Sequence, residues 1–553
     1  MKHQTTLNAY LAQTVRDNWG HPALTNIGGD TYTYADVAER IEKLHIAFST
    51  LGLGAGDKIA FCGRNSAEMA ICMLASITYG TVSVPILHDF TPDTVHHLVA
   101  HSEAKVLFTD TATWNGLDHS QMPDILCAVQ VTDYAILYSA TERPVKVRAT
   151  LNELFAKRHP ASFTPDDIDY ANPDPDEICL INYTSGSAGF SKGVMLSYRS
   201  MWSNLQYTID GLDFLKPGDN MLCMLPMAHM FGLMEELLHT FNKGCHLYFL
   251  TRTPSPAVLL GSFAEVRPKL VIAVPLIIEK MVRSRVFPLL RKAAMRLALL
   301  IPGLNKKIYA KIRARLIDVF GGNLLEVIIG GAPLSHDVDA FLRKIRFPFT
   351  VGYGMTECGP LITYAPWDIQ RPGSCGKCVD RMELKIESDD PAKVPGVLWV
   401  RGDNVMSGYY KAPEITESTF RDGWMATGDI CQLDSEGYLY IRGRDKNMIL
   451  GPSGQNIYPE EIEQVLANLP YVGECLAVER GGKIVGLVHP DYELAEKECK
   501  TTAETDELVR QNLAVLNRQL PSYSRVSEIE IMPEEFEKTP KRSIRRYLYM
   551  EKK

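Results

Sequence analysis

The stretch "YTSGSAGFSKG", residues 183–193, follows the apolar run ICLI at 178–181 and packs three glycines, four Ser or Thr residues and one lysine into eleven positions. A short apolar run bounded by turn residues reads as a buried strand. Glycines let a backbone approach a ligand closely, and exposed amide N–H groups with hydroxyls suit phosphate oxygens. Strand and loop together read as a phosphate cradle at the end of a sheet strand. It is not a Walker A loop, which needs Gly-Lys followed by Ser or Thr: Lys192 precedes Gly193, and the next hydroxyl is Ser197. A polar turn remains the alternative at this point.

Outward from this loop, apolar or β-branched runs recur at 58–61, 82–86, 105–108, 125–131, 270–274 and 325–329, alternating with amphipathic stretches such as "YADVAERIEKLHIAFSTLG" at 34–52. Strands alternating with helices predict α/β layers. Residues 69–87 are uncharged and nearly long enough to span a bilayer. Tyr79-Gly80-Thr81 and Pro85 interrupt them, so helix, turn and strand fit better. Past residue 395 short strands and turns take over, with strands expected at 397–401 and 438–441. "GRDKNMILGPSGQNIYPEEIEQVL", from Gly443, then reads as strand, Gly-rich turn and helix opening a new unit. The expected fold class is α/β: a large N-terminal α/β region of several subdomains over 1–442, and a small, mobile C-terminal α+β domain over 443–553. The short joint Arg444-Asp445-Lys446 suits a hinge.

With 46% hydrophobic and 22% charged residues among 553, the chain has the balance of a soluble globular protein. A formal charge of −8 and a pI near 6.0 give no global attraction for nucleic acid, and no nucleic-acid partner is expected. The first twenty residues lack the apolar core of a secretory signal, which reads as cytoplasmic. Twelve mostly isolated cysteines suit a reducing compartment, and the single C-x-x-C at Cys375 and Cys378 reads as structural or incidental. Residues 283–315 hold ten Lys and Arg without one Asp or Glu and read as two basic amphipathic helices broken at Pro302-Gly303. Peripheral contact with an anionic inner-membrane face, a polyphosphate ligand and a solvated basic surface are the readings open for them.

Several polar motifs follow strands at wide intervals: LPMAHMFG at 225–232, GGAPL at 330–334, GYGMTE at 352–357, WMATGD at 424–429 and GRDK at 443–446. In that order and spacing they resemble the adenylate-forming superfamily of acyl-CoA synthetases, peptide-synthetase adenylation domains and luciferases, over essentially the whole chain. The resemblance implies ATP, Mg²⁺ and CoA as cofactors. A carboxylate is joined to AMP with loss of pyrophosphate, and a thiol then attacks the activated acyl carbon. Negative charge gathered in the first step must be offset by Mg²⁺, Lys, Arg and backbone donors.

Carried over by position, Thr184, Ser185, Gly186, Ser187, Gly189 and Lys192 match the loop on the β- and γ-phosphates. Gly331, Ala332, Pro333, Gly352, Tyr353 and Gly354 match the adenine pocket, with the Tyr353 ring available to stack. Thr356 matches an α-phosphate contact and Glu357 the Mg²⁺ ligand, a hard oxygen donor that suits the ion. Asp429 matches the ribose carboxylate, Arg444 a ribose or phosphate contact, and Lys446 the hinge. His229 matches the position beside the acyl carboxylate and CoA tunnel.

Two departures matter. Ala188 and Ser191 stand where a hydroxyl and a proline are usual in the loop. In "EKTPKRSIRRYLY", from Glu537, Ser543 takes the place of the lysine that bridges acyl carboxylate and ATP; Lys541 and Arg542 lie within two residues of it and, both side chains being long, could reach in if the loop shifts. The basic insert, "VPLIIEK" at 274–280 and the C-terminus resemble bacterial long-chain fatty acyl-CoA ligases, which implies a fatty acid substrate and CoA as acceptor. An acyl carrier protein as acceptor, and a degenerate nucleotide- or acyl-binding homologue without adenylation, are the alternatives; oligomeric state stays open.

Overall fold

The computed structural model describes residues 6–185, 191–252, 255–450, 456–539 and 544–550. Local signals place the elements where the pattern puts them. The helix Tyr34–Leu51 begins in a capping box, Thr33 accepting from the Asp36 N–H while Asp36 accepts from the Thr33 N–H at 2.8 Å, and ends at Gly52 with φ of 84°. Its buried Val37, Ile41, Leu44 and Phe48 recur at spacings of three and four, so one stripe faces the core. Truncating a core phenylalanine such as Phe48 to alanine costs about 3–5 kcal/mol.

The uncharged stretch at 69–87 resolves into the helix Ala67–Tyr79, a turn at Gly80 with φ of 94°, and the fully buried strand Val82–Ile86. That helix is buried from Ala67 through Thr78, which explains a sequence with no charged residue after Glu68. Among the described residues no helix is long and apolar enough to cross a membrane.

The strand Val82–Ile86 lies inside an eight-stranded sheet with the order Gly408–Tyr409, Ser191–Ser197, Ile178–Ser185, Val82–Ile86, Lys58–Cys62, Ala104–Thr109, Cys127–Gln130 and Ile136–Ser139. Its central strands run parallel, and the outermost pairings at both edges are antiparallel. The strands Leu270–Ala273, Glu326–Ile329 and Phe349–Val351 form a separate parallel sheet. Beyond them Met382–Glu387, Gly396–Gly402, Trp424–Leu433 and Leu439–Arg444 build an antiparallel sheet.

The separate C-terminal domain carries the hairpin Val472–Arg480 and Lys483–Pro490, with Glu528–Ile531 parallel to the second strand. The helices Pro459–Leu466 and Thr502–Gln519 pack on it through Ile462, Leu466, Val509 and Leu516 against Val488 and Ile529. The fold is α/β with a large N-terminal region and this smaller unit.

One expectation is corrected. Residues 283–315 begin in the last turn of the helix Pro275–Arg285 and continue through three further helices rather than two, Phe287–Arg291, Ala293–Leu300 and Leu304–Val319. The expected break falls at 301–303, and Lys292, with extended ψ of 133°, supplies a second. Cys375 and Cys378 are free thiols.

Candidate active site

The three-stranded parallel sheet positions the site. Its strands end together: the Gly330 N–H donates to the Ala273 carbonyl at 3.1 Å and the Gly352 N–H to the Ile329 carbonyl at 3.0 Å. Loops leaving the carboxyl ends of parallel strands diverge and open a crevice where ligands bind in α/β proteins. GGAPL and GYGMTE are two such loops. Gly331 sits at φ of 84°, and Gly331, Ala332 and Pro333 form an exposed turn. At Gly354 a Cβ would lie 2.1 Å from the Pro360 carbonyl oxygen, so only glycine fits.

The loop at 225–232 is brought to the same crevice. A Cβ on Gly330 would meet the Phe231 ring at 3.0 Å, so the end of that ring packs closely on the glycine. Asn65 clamps the loop by donating to the Leu225 carbonyl at 2.6 Å and accepting from the Met227 N–H at 2.9 Å, while Asn182 donates to the Ala228 carbonyl at 2.9 Å. The His229 N–H then reaches the Pro226 carbonyl at 2.9 Å. This turn needs Gly232, where a Cβ would stand 2.4 Å from the same carbonyl oxygen. His229 is half-buried.

Two clusters of the expected residues form. In the first, the Tyr353 hydroxyl donates to Asp429 Oδ2 at 2.5 Å and Arg444 Nε lies 2.7 Å from Oδ1, Asp429 and Arg444 being register partners on adjacent strands. Burial outweighs the Arg444 guanidinium and raises the Asp429 carboxyl above its ordinary value; burial likewise drives the Tyr353 phenol well up. In the second, the Tyr409 hydroxyl donates to Glu357 Oε1 at 3.0 Å and Lys192 Nζ lies 4.7 Å from the Tyr409 ring centroid. Thr356 opens the short turn that carries Glu357, and Thr184 faces Lys192 across its strand pair. Glu357 also acts electrostatically on Asp429 and Arg444, which joins the clusters into one site.

Glu357 and Thr356 place one hard carboxylate beside a hydroxyl. Among the described residues no group of three His, Cys, Asp or Glu side chains converges to cage a metal. A single carboxylate completed by phosphate oxygens and water is the usual way Mg²⁺ is held, so the residues present fit it.

Lys446 does not join either cluster; it is exposed in the short turn Asp445–Asn447. Gly186, Ser187, Ala188, Gly189, Lys541, Arg542 and Ser543 lie outside the described residues, and the side chains of Ser185 and Ser191 are likewise not described. The flanks of 540–543 are anchored: Lys538 pairs with Ile544, and Arg546 forks onto Glu463 at 2.6 and 2.7 Å.

Sequence reasoning missed Tyr409, whose only signal is the aromatic pair in SGYYK at 407–411. It also missed the acid pair in GLMEELL, directly after the His229 loop. There the helix Gly232–Leu238 has π geometry, an arrangement frequent at functional sites, and Glu235 and Glu236 are only 3% and 1% exposed. Glu236 Oε2 accepts the Leu225 N–H at 2.9 Å and so pins the loop's start. Glu235 Oε2 lies 3.8 Å from His239 Nδ1, and Oε1 has no hydrogen-bond partner among the described residues. Burial pushes Glu235 up to about 8 and His239 down to about 3, disfavouring the charged form of each.

Known proteins match the chain over nearly its whole length. The AMP-binding enzyme family matches residues 11–410 and the AMP-binding enzyme C-terminal domain matches 446–552. The chain is 28% identical to the long-chain-fatty-acid–CoA ligase FadD15 of Mycobacterium bovis, covering 94% of this chain and 90% of that protein. It is 27% identical to 4-coumarate–CoA ligase 3 of Oryza sativa subsp. japonica, covering 87% and 82%. The ATP-bound structure of MatB from Rhodopseudomonas palustris shares the fold, with a TM-score of 0.75 at 23% identity over 99% of this chain and 98% of that one. The chain belongs to the AMP-binding enzyme family, whose adenylate-forming acid–thiol ligases its motifs resemble.

Proposed function

We propose that the protein activates a fatty acid with ATP and Mg²⁺ and transfers the acyl group to CoA. The observation that carries this reading is the convergence of Lys192, Glu357, Tyr353, Asp429 and Arg444 at one strand-end crevice. Asp429, with two carboxylate oxygens, accepts the ribose hydroxyls; Arg444 and Tyr353 hold it in place. Lys192 and Thr184, paired across the ends of adjacent strands, offset the charge of the leaving phosphates, and Thr356 contacts the α-phosphate. Bound at Glu357, Mg²⁺ supplies charge neutralisation on the phosphate oxygens. The substrate carboxylate oxygen attacks the α-phosphorus and pyrophosphate leaves. The CoA sulfur then attacks the acyl carbon beside His229 and AMP leaves.

The domain boundary lies near Gly443, where a Cβ would meet Glu460 Oε2 at 2.7 Å from the first helix of the C-terminal domain, and Lys446 is the hinge between the two steps. Fatty acid specificity is supported by likeness to FadD15 over nearly the full chain, although 4-coumarate ligases match at similar identity. The deciding experiment measures pyrophosphate and acyl-CoA formation from ATP, Mg²⁺ and CoA with fatty and aryl acids, for the wild type and Ser543→Lys. Turnover confined to fatty acids is expected. Turnover with aryl acids alone overturns the substrate, and silence of the wild type with rescue by lysine overturns an active adenylation step.

A further inference from the structure

Between the parallel-sheet strands at Leu270–Ala273 and Glu326–Ile329 the chain leaves the core to form the three basic helices. No residue of Ala293–Leu300 is buried. Leu297, Leu300, Ile301 and Leu304 are 65%, 77%, 53% and 39% exposed, at spacings that put them together at the blunt tip where two helices meet. Arg296, Lys306 and Lys307 flank that tip and are exposed. Of the ten bases in 283–315 only Arg283 forms an ion pair among the described residues, 2.8 Å from Asp337. Beside the tip lies a groove of about 290 Å³ lined by Phe287, Leu290, Arg291 and Arg296, two guanidinium groups and two apolar side chains.

Large exposed aliphatic side chains clustered at a tip are unfavourable in water and mark an interaction surface. Unneutralised bases around them fix the charge of the partner. A soluble polyanion has no use for four exposed aliphatic side chains, and a second copy would bring like charge against like. An anionic bilayer satisfies both features, its phosphates meeting the bases and its acyl region taking the aliphatic tip.

We propose that the helices between residues 287 and 319 form a docking surface for an anionic lipid bilayer, with the Phe287–Arg296 groove receiving a phospholipid headgroup and the first part of its chain. This does not depend on which acid the enzyme activates. The chain lies on the membrane through this tip.

The test is flotation of the full-length protein with vesicles of phosphatidylcholine alone and of phosphatidylcholine mixed equally with phosphatidylglycerol. Binding to the anionic vesicles is expected to be at least about tenfold tighter and to weaken when ionic strength is raised to roughly 0.5 M. Lys306→Glu with Lys307→Glu, and separately Leu300→Ser with Ile301→Ser, are each expected to reduce it about tenfold. All four positions are exposed, and thermal melts check that the variants fold. Equal binding to both vesicle types, or variants that bind like the wild type, would overturn the proposal. Stabilisation by inorganic tripolyphosphate with no vesicle binding would do the same and assign the bases to a soluble polyanion.

Discussion

The Tyr409 hydroxyl donates to Glu357 Oε1 at 3.0 Å while Lys192 Nζ sits 4.7 Å from the centroid of the same ring. One aromatic side chain thereby fixes both the carboxylate suited to Mg²⁺ and the lysine suited to phosphate. Tyr409→Phe keeps the ring and removes a hydrogen bond to a charged group, worth about 1.5–3 kcal/mol. Its kcat/KM for pyrophosphate release is expected to fall at least tenfold, and Tyr409→Ala, which also loses the cation–π contact, further. Unchanged kinetics in Tyr409→Phe would remove Tyr409 from the site.

Asp429 holds Arg444 and Tyr353 and is only 3% exposed. Asp429→Ala is expected to weaken ATP binding about a hundredfold, as two charge-assisted hydrogen bonds are lost. Tyr353→Phe, which leaves the carboxylate in place, should cost less. Calorimetric titration separates the two, and an equal loss in both would mean that the tyrosine contacts nucleotide through its hydroxyl.

Glycines in this chain divide by what a methyl group would meet. Gly232→Ala drives a Cβ to within 2.4 Å of a backbone oxygen at the turn that places His229, and should lower stability by roughly 1–3 kcal/mol together with activity. Gly261→Ala, inside the helix Pro256–Val266 with nothing within 4 Å, should raise stability by about 1 kcal/mol. Denaturant melts of both variants decide; a stable Gly232→Ala enzyme would contradict the geometry of the loop.

Glu235 gives stability a pH dependence. Its carboxyl is raised from 4.5 to about 8, so between these values the folded chain holds a proton that the unfolded chain has released. Stability from this group is therefore complete below about pH 4.5, declines as pH rises through about 8, and is level above. His239, Tyr207 and Tyr364 face the same carboxyl and are common to wild type and variant. Glu235→Gln removes the titration, so its gain in melting temperature should grow between about pH 5 and pH 8. Parallel curves would show that Glu235 is ionised in the folded protein.

Lys446 is exposed in the turn that follows Arg444. Lys446→Pro fixes φ near −65° and should impair acyl-CoA synthesis more than pyrophosphate release, by an order of magnitude or so, if the joint turns between the two steps. Equal effects on both rates would place the hinge elsewhere.

By itself the sequence determined what local physics controls. The capping box at Thr33 and Asp36, the left-handed glycines at 52 and 80 and the uninterrupted apolar run at 178–181 each act within a few residues, and so strands, helices and the α/β class were legible. The motif order also singled out Lys192, Tyr353, Glu357, Asp429 and Arg444, which the fold gathers into two neighbouring clusters. Tertiary structure alone decided that Tyr409 reaches Glu357, that Asn65 and Asn182 hold the loop of His229, and that Glu235 is buried, which pushes its carboxyl up. These contacts join residues 52, 160, 46 and more positions apart or depend on how completely water is excluded. Neither spacing along the chain nor residue type encodes such distances; they follow from how separate sheets and helices pack against one another.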